Sequence, residues 1–319
     1  MSPLSLPFDF GLSIDLGTAM ALGCGLAWAV AVVLFRQASA GEVSARALNL
    51  FKNAVASVLL VLTVLIRDGD GGDGAIARLG SLSTWDLGRL TLSGVLGLAI
   101  ADTLFFSGLR RVGSSMAAVA DCAYAPTAVI LSVLLLGEEL REGLLIGGPL
   151  VVLGLGIVSW RADRGHTDAA GLTTKLDGVG LLLTLGGVMT TALGVVVAKP
   201  ALNQADLLEA TTLRLLAGTL ALGLWEALRG ELASALVLFR PQRAWRFAIP
   251  ATLIGTYLSM LLWLGGIKYS TASKAAILSQ LSVVFLLVLS RLTGEPVPPR
   301  RWLGAGVALT GALVVVTRA

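Results

Sequence analysis

The stretch MAAVADCAYAP at 116–126 places one carboxylate, Asp121, inside an apolar run that extends from Ser114 to Gly137. An acid in such surroundings suits two tasks: taking up and releasing a proton, or holding a cationic group of a small molecule. Its neighbours on one helical face would be Ser114, Ala117, Ala118, Ala125 and Ala128, all small. Such a face walls a cavity or lets another helix approach closely. Asp102 is a second acid in an apolar run, either functional or a structural partner for Arg110 or Arg111. Gln280, flanked by Ser279 and Ser282, can donate and accept, which suits solute binding or a bond between helices. Thr190 and Thr191 beside Gly186 and Gly187 form a small polar patch. Trp28, Tyr124, Tyr257 and Trp263 are candidates to wall an apolar cavity, with packing or interface roles as the alternative. Pro126 removes a backbone donor and can bend its helix beside Asp121. Lys52 and Arg214 are expected to snorkel or to serve structure. Lys268 and Lys274 could meet an anionic cargo at one mouth, but solvated loop charges are the expectation.

Other chemistries find little support. The chain of 319 residues has one histidine, His166, in a polar stretch without companion ligands, so no metal or His-based catalytic site is expected. Its two cysteines, Cys24 and Cys122, lie in apolar runs and read as small hydrophobes. The acids of DGDGGDG (68–74) miss the alternation of a calcium loop. No GxxxxGK[ST] loop is present, so ATP is not the expected driver and no cofactor is implied. The net charge of +4 reflects loop Lys and Arg rather than affinity for nucleic acid. The first Lys or Arg is Arg36, so the basic start of a secretory signal is missing.

The elements that must position these residues are membrane helices. Hydrophobic residues make up 55% of the chain and charged residues 14%, about half the charge of a soluble domain, with a mean hydropathy of +0.85. Ten windows are apolar enough to span a bilayer: 17–36, 45–66, 88–109, 114–136, 142–160, 177–198, 208–228, 246–267, 271–292 and 301–317. A polar linker, 161–176, falls at the midpoint. Sliding the chain by 157 residues superposes 94–161 on 251–318, with Gly108 on Gly265, Gly137-Glu138 on Gly294-Glu295, Gly147 on Gly304 and Gly154 on Gly311. At a slightly different offset LFRQA (34–38) meets VAKPA (197–201), Lys52 meets Arg214 and Trp28 meets Thr191. Two repeats, 1–160 and 177–319, would each hold five helices. Five is odd, so the second enters from the opposite side, which predicts an all-α membrane protein of two inverted repeats.

The segments ADTLFFSGLRRVGSSMAAV (101–119), AP (125–126), LLLGEEL (134–140) and GGPLVVLGLG (147–156) resemble the EamA family of the drug/metabolite transporter superfamily. GGIKYSTASKAAILSQL (265–281) and LTGEPV (292–297) repeat them more loosely, and Trp28 stands where such proteins often carry Trp. Val283 replaces the proline of the first copy, which puts a symmetric kink in question. The resemblance implies ten helices, an inner-membrane location, cytoplasmic termini and a central cavity lined by helices 1, 3, 4, 6, 8 and 9.

The reading that follows is a secondary transporter of a small metabolite or drug, working by alternating access, with protons as coupling ion through Asp121 or, second, Asp102. A facilitator without coupling remains an alternative, and so does an intramembrane enzyme acting on a lipid-linked substrate, although no paired nucleophile and base is visible. Orientation is divided: more loop Lys and Arg fall on the side away from the N-terminus, against the sidedness the resemblance implies.

Overall fold

A computed structural model describes residues 15–38, 44–69, 72–159, 177–294 and 297–318, without the side chains of 113–115; the 161–176 linker lies outside them. Every regular element described is helical. The first half holds α1 (Leu16–Ala38), α2 (Ala45–Asp68), the short α3 (Asp73–Gly80) and α4 (Thr84–Gly94). A π-helical turn at Val95–Ile100 follows, then α5 (Ala101–Asp121), α6 (Tyr124–Leu136) and α7 (Glu142–Ser159). The second half holds α8 (Gly178–Gln204), α9 (Leu207–Leu228), the single turn α10 (Leu232–Ala235) and α11 (Trp245–Thr252). A second π-helical turn at Leu253–Leu258 leads into α12 (Ser259–Tyr269), α13 (Ala272–Ser279), α14 (Ser282–Leu292) and α15 (Pro299–Arg318).

Helix starts follow local chemistry. Ser44 accepts the Ala47 N–H at 3.1 Å, Asp177 that of Val179 at 3.1 Å and Asp206 that of Leu208 at 2.9 Å. Gly137 and Gly294, matched in the repeat, end α6 and follow α14 with φ of +67° and +88°, a conformation open to glycine at little cost.

Nine stretches among the described residues are long and apolar enough to cross a membrane, ending with Ala272–Leu292. The tenth expected span is α15, a 20-residue helix whose Arg300, Arg301 and Arg318 dilute its mean apolarity. It runs along α7. The outer surface carries large apolar side chains such as Ile66, Leu134, Leu182, Leu220 and Leu292, a face suited to lipid.

The glycines show how the halves are related. A Cβ on Gly147 would lie 2.5 Å from the Gly311 carbonyl oxygen, and one on Gly311 2.7 Å from that of Gly147. Gly154 and Gly304 meet in the same way, at 2.6 and 2.7 Å. Gly147 pairs with Gly311 and its repeat mate Gly304 pairs with Gly154, the mate of Gly311. That reciprocity is the signature of a twofold. Residue numbers rise along α7 as they fall along α15, so equivalent helices are antiparallel and the halves are inverted. Two longer crossings obey the same rule. Gly17, Cys24 and Ala31 of α1 meet Tyr269, Ser259 and Gly255, while Gly180, Gly187 and Gly194 of α8 meet Arg111, Phe105 and Gly97. The first helix of each half thus lies against the third helix of the other. In lipid, where burial of apolar surface gives no drive between helices, such close backbone approaches supply the van der Waals contact.

The π turns are symmetric as well, and so are two breaks. The fourth span breaks at Cys122–Ala123 and the ninth at Gln280–Leu281. The break therefore does not depend on Pro126, which sits in the first turn of α6, where its missing N–H costs little. Tighter i→i−3 bonds make the turn on both sides: Ala123 N–H to Ala120 C=O at 3.0 Å, and Leu281 N–H to Leu278 C=O at 3.1 Å. The kink that Val283 put in question is present without a proline.

Candidate functional site

Both breaks and both π turns face one cavity of about 240 Å³ between the halves. Its wall includes seven of the expected residues: Asp121, Asp102, Gln280, Trp28, Tyr124, Thr191 and Trp263. Tyr257, also expected there, is not part of it. Thr256, Ser259, Met260 and Trp263 form the cavity-facing stripe of the eighth span, and Tyr257 lies a step around the helix from Thr256. Its hydroxyl instead meets Thr63 Oγ1 of α2 at 2.9 Å.

Asp121 is the last residue of α5, at the break. Gln280, at the other break, donates its amide N–H to the Asp121 main-chain oxygen at 2.9 Å. The side chain of one break thereby satisfies a carbonyl freed by the other. Gln280 is thus both an interhelical bond and part of the cavity wall. No hydrogen bond or ion pair reaches the Asp121 carboxylate among the described residues. Thr191 Oγ1 donates to the Gly187 carbonyl at 3.1 Å, and the residue lines the cavity. Trp28 remains 39% exposed, with Phe35 tilted against it at 6.4 Å.

Asp102 does not pair with Arg110 or Arg111; Arg111 reaches Asp177 at 3.2 Å instead. The Asp102 carboxyl faces Asn49, Lys52 and Arg214. Here the sequence reading of Lys52 and Arg214 needs correction, because both line the cavity, from α2 and α9. Arg214 is 1% exposed. Its Nε donates to Ser93 Oγ at 2.8 Å, and its guanidinium lies 5.0 Å from the Trp263 ring centre. Gly97 in the first π turn makes the room: a Cβ there would sit 2.8 Å from Arg214 Nη2. Lys52 Nζ donates to Asn53 Oδ1 at 3.2 Å, and Asn53 donates to Asn49 Oδ1 at 3.2 Å, a polar chain that runs to Asp102. Their match in the repeat was the available signal, but helices 2 and 7 are not among those the resemblance implies as cavity walls. Cys24 and Ser259, also unforeseen, meet across the cavity wall with Sγ and Oγ 3.4 Å apart.

The two ends of the protein differ. At the end where α1 begins, Lys199 donates to the Ser270 carbonyl at 2.6 Å and to that of Ile267. Lys268 returns the arrangement, donating to the Leu202 and Ala205 carbonyls at 2.6 and 2.5 Å. Each lysine thus covers the C-terminal carbonyls of the other's helix. Glu138 accepts the Ala272 N–H at 2.7 Å and the Ser273 hydroxyl at 2.6 Å. Asp15 meets Lys274 at 3.1 Å. Lys268, half-buried, and Lys274, buried, are therefore held by partners outside the cavity, where they help close one end. Beside them Arg67 and Arg78 bind Asp68, Asp206 and Glu209. Burial opposes the charge on Asp206, but bonds from the Leu208 N–H and Arg67 outweigh it and hold the carboxyl down to about 2.

The other end carries a second cavity of about 370 Å³, walled by Arg46, Asn49, Thr103, Phe106, Arg110 and Glu226. Asn49 stands between this vestibule and Asp102.

Comparison with known proteins bears on the whole chain. The sequence model of the EamA-like transporter family matches residues 15–160 and 178–317. A protein of Archaeoglobus fulgidus described as an uncharacterized transporter is 28% identical over 149 residues, 47% of this chain. The matched part spans half the length of that curated relative, at 50%. One solved crystal structure shares the fold with a TM-score of 0.72 at 17% identity, covering 93% of this chain and 95% of that one.

Proposed function

The chain belongs to the EamA-like transporter family, and from that premise we propose that it is a secondary carrier of a small metabolite or drug in the inner membrane. Its halves, 1–160 and 177–319, rock about the central cavity so that the cavity opens to each side in turn. Close packing of one end by Lys199, Lys268, Glu138 and Asp15, with a cavity of about 370 Å³ at the other, supports this reading. Protons drive the cycle, and Asp121 carries them.

The observation that carries the proposal is the Asp121 carboxylate, which lines the cavity where two broken spans meet and has no partner among the described residues. A group left without a fixed partner can exchange one, and a proton is the smallest. Asp102 is less suited because Lys52 and Arg214 already face it.

Proteoliposomes with an imposed pH gradient test the role. Solute movement that responds to the gradient in the natural chain should fall sharply in Asp121→Asn and lose its pH dependence. Normal movement with an unchanged pH profile in that variant would remove Asp121 from the coupling.

A further inference from the structure

We propose that the cargo carries a single negative charge, a carboxylate, and that Arg214 and Lys52 hold it. The inference deepens the carrier reading and rests on it.

Burying a cation without a carboxylate partner is costly. Among the described residues, neither Lys52 nor Arg214 has a carboxylate oxygen within salt-bridge distance, although both line the cavity. The partners they do have are neutral: Asn53 for Lys52, Ser93 and Met260 for Arg214. Asp102 is the one acid facing both. Two cations and one acid leave one positive charge on this side of the cavity. A carboxylate balances that excess, whereas a phosphate monoester would exceed it. Asp121 lines the same cavity but does not face this pair: of the two cavity acids, Asp102 alone acts on Lys52 and Arg214.

A second observation points the same way. Tyr124 and Thr256 line the cavity, are 7% and 2% exposed, and carry buried hydroxyl oxygens without a hydrogen-bond partner. A buried hydroxyl without a partner carries an uncompensated cost. A carboxylate, acceptor only, has oxygens for both. The space for it was made deliberately by the fold: the π turn and Gly97 admit the guanidinium, and the repeat places the ammonium on the matching helix.

The test loads proteoliposomes with a mixture of amino acids, monocarboxylates, primary amines and phosphate monoesters, and follows each by mass spectrometry. The solutes that move in the natural chain should all carry a carboxylate, and the carboxamide of each should stay behind. Arg214→Gln and Lys52→Gln should each slow movement about tenfold or more, the effect of losing one charge-assisted contact. Arg214→Lys should retain part of it. Lys52→Gln guards against misfolding, because Arg214 also packs against α4; its size-exclusion profile should match the natural chain. Movement of amines or carboxamides, equal in the natural chain and Arg214→Gln, would overturn the carboxylate proposal and leave the carrier reading intact. Movement of phosphate monoesters in preference to carboxylates would overturn it too. Retention of every solute class would overturn both readings.

Discussion

Adding one methyl group at the α7–α15 crossing separates stability from function. In Gly147→Ala the new Cβ arrives 2.5 Å from the Gly311 oxygen, 2.7 Å from Val315 Cγ2 and 2.9 Å from Val315 N. Two of these three atoms are backbone, so the helices must part. Overpacking of this kind costs about 1–3 kcal/mol, which lowers Tm by roughly 2–10 °C for a chain of this size. Gly304→Ala, its repeat mate, presses on Gly154 O and Val158 N at 2.7 and 2.9 Å and should cost the same. The double variants carry the sharper prediction. Gly147→Ala with Gly304→Ala strains two contacts of the crossing that lie two helical turns apart and share no partner, so the losses should come close to adding. Gly147→Ala with Gly311→Ala strains one contact twice, so the second change should cost less than it does alone. Neither α7 nor α15 lines the central cavity, so solute movement by the folded fraction should persist. Thermal unfolding in one detergent, monitored by tryptophan fluorescence, reads the natural chain, the three single variants and the two double variants. If the Gly147–Gly311 pair adds as fully as the Gly147–Gly304 pair, the reciprocal crossing and the twofold drawn from it are wrong.

Other outcomes follow from the same geometry. Gln280→Leu frees the Asp121 carbonyl at the break and should destabilise the protein by about 1–3 kcal/mol in thermal unfolding, while Gln280→Glu, which cannot donate when ionised, should do no better. Gly97→Ala should displace the Arg214 guanidinium and weaken movement of solute more than it lowers Tm, as comparison of uptake rate with unfolding would reveal. Tyr257→Phe loses a bond to Thr63 outside the cavity and should leave uptake unchanged, in contrast to Tyr124→Phe. Asp206 is held down to about 2, so its contribution to stability is complete above about pH 4 and fades only as pH falls toward 2. Asp206→Asn should therefore shift stability by a constant amount between pH 5 and 8 and leave the uptake profile there unaltered in shape.

What the sequence disclosed depended on how local its cause is. Helices 1 to 9 were legible because long apolar runs have few alternatives in lipid, and their bounds differ from the expected windows by a few residues. The third span begins earlier, at Thr84, because Ser83 caps it with an accepted Asp86 N–H at 3.0 Å. The duplication was legible through glycines, since Gly147, Gly154, Gly304 and Gly311 mark backbone contacts that no larger residue permits. The π turns were not legible: one extra residue per turn leaves no hydrophobic signature, yet it sets which side chains face the cavity. Tyr257 was misplaced for that reason. Lys52 and Arg214 were expected to snorkel or to serve structure because the resemblance leaves helices 2 and 7 out of the cavity wall; only the tertiary arrangement brings Asp102 from another helix to face them. Pro126 drew attention to a break whose true position, three residues earlier, is shared with a repeat that lacks the proline.

The inversion of the two halves is tested most directly by the sidedness of their matched turns. In a background with Cys24→Ala and Cys122→Ala, single cysteines replace Glu139, beside the Gly137 turn, and Thr293, beside the Gly294 turn, both exposed. A membrane-impermeant maleimide applied to sealed vesicles of one orientation should label one of these and not the other, and reversing the vesicles should exchange them. Labelling of both from the same side would place the halves the same way up, and the cavity between mirrored breaks would not exist.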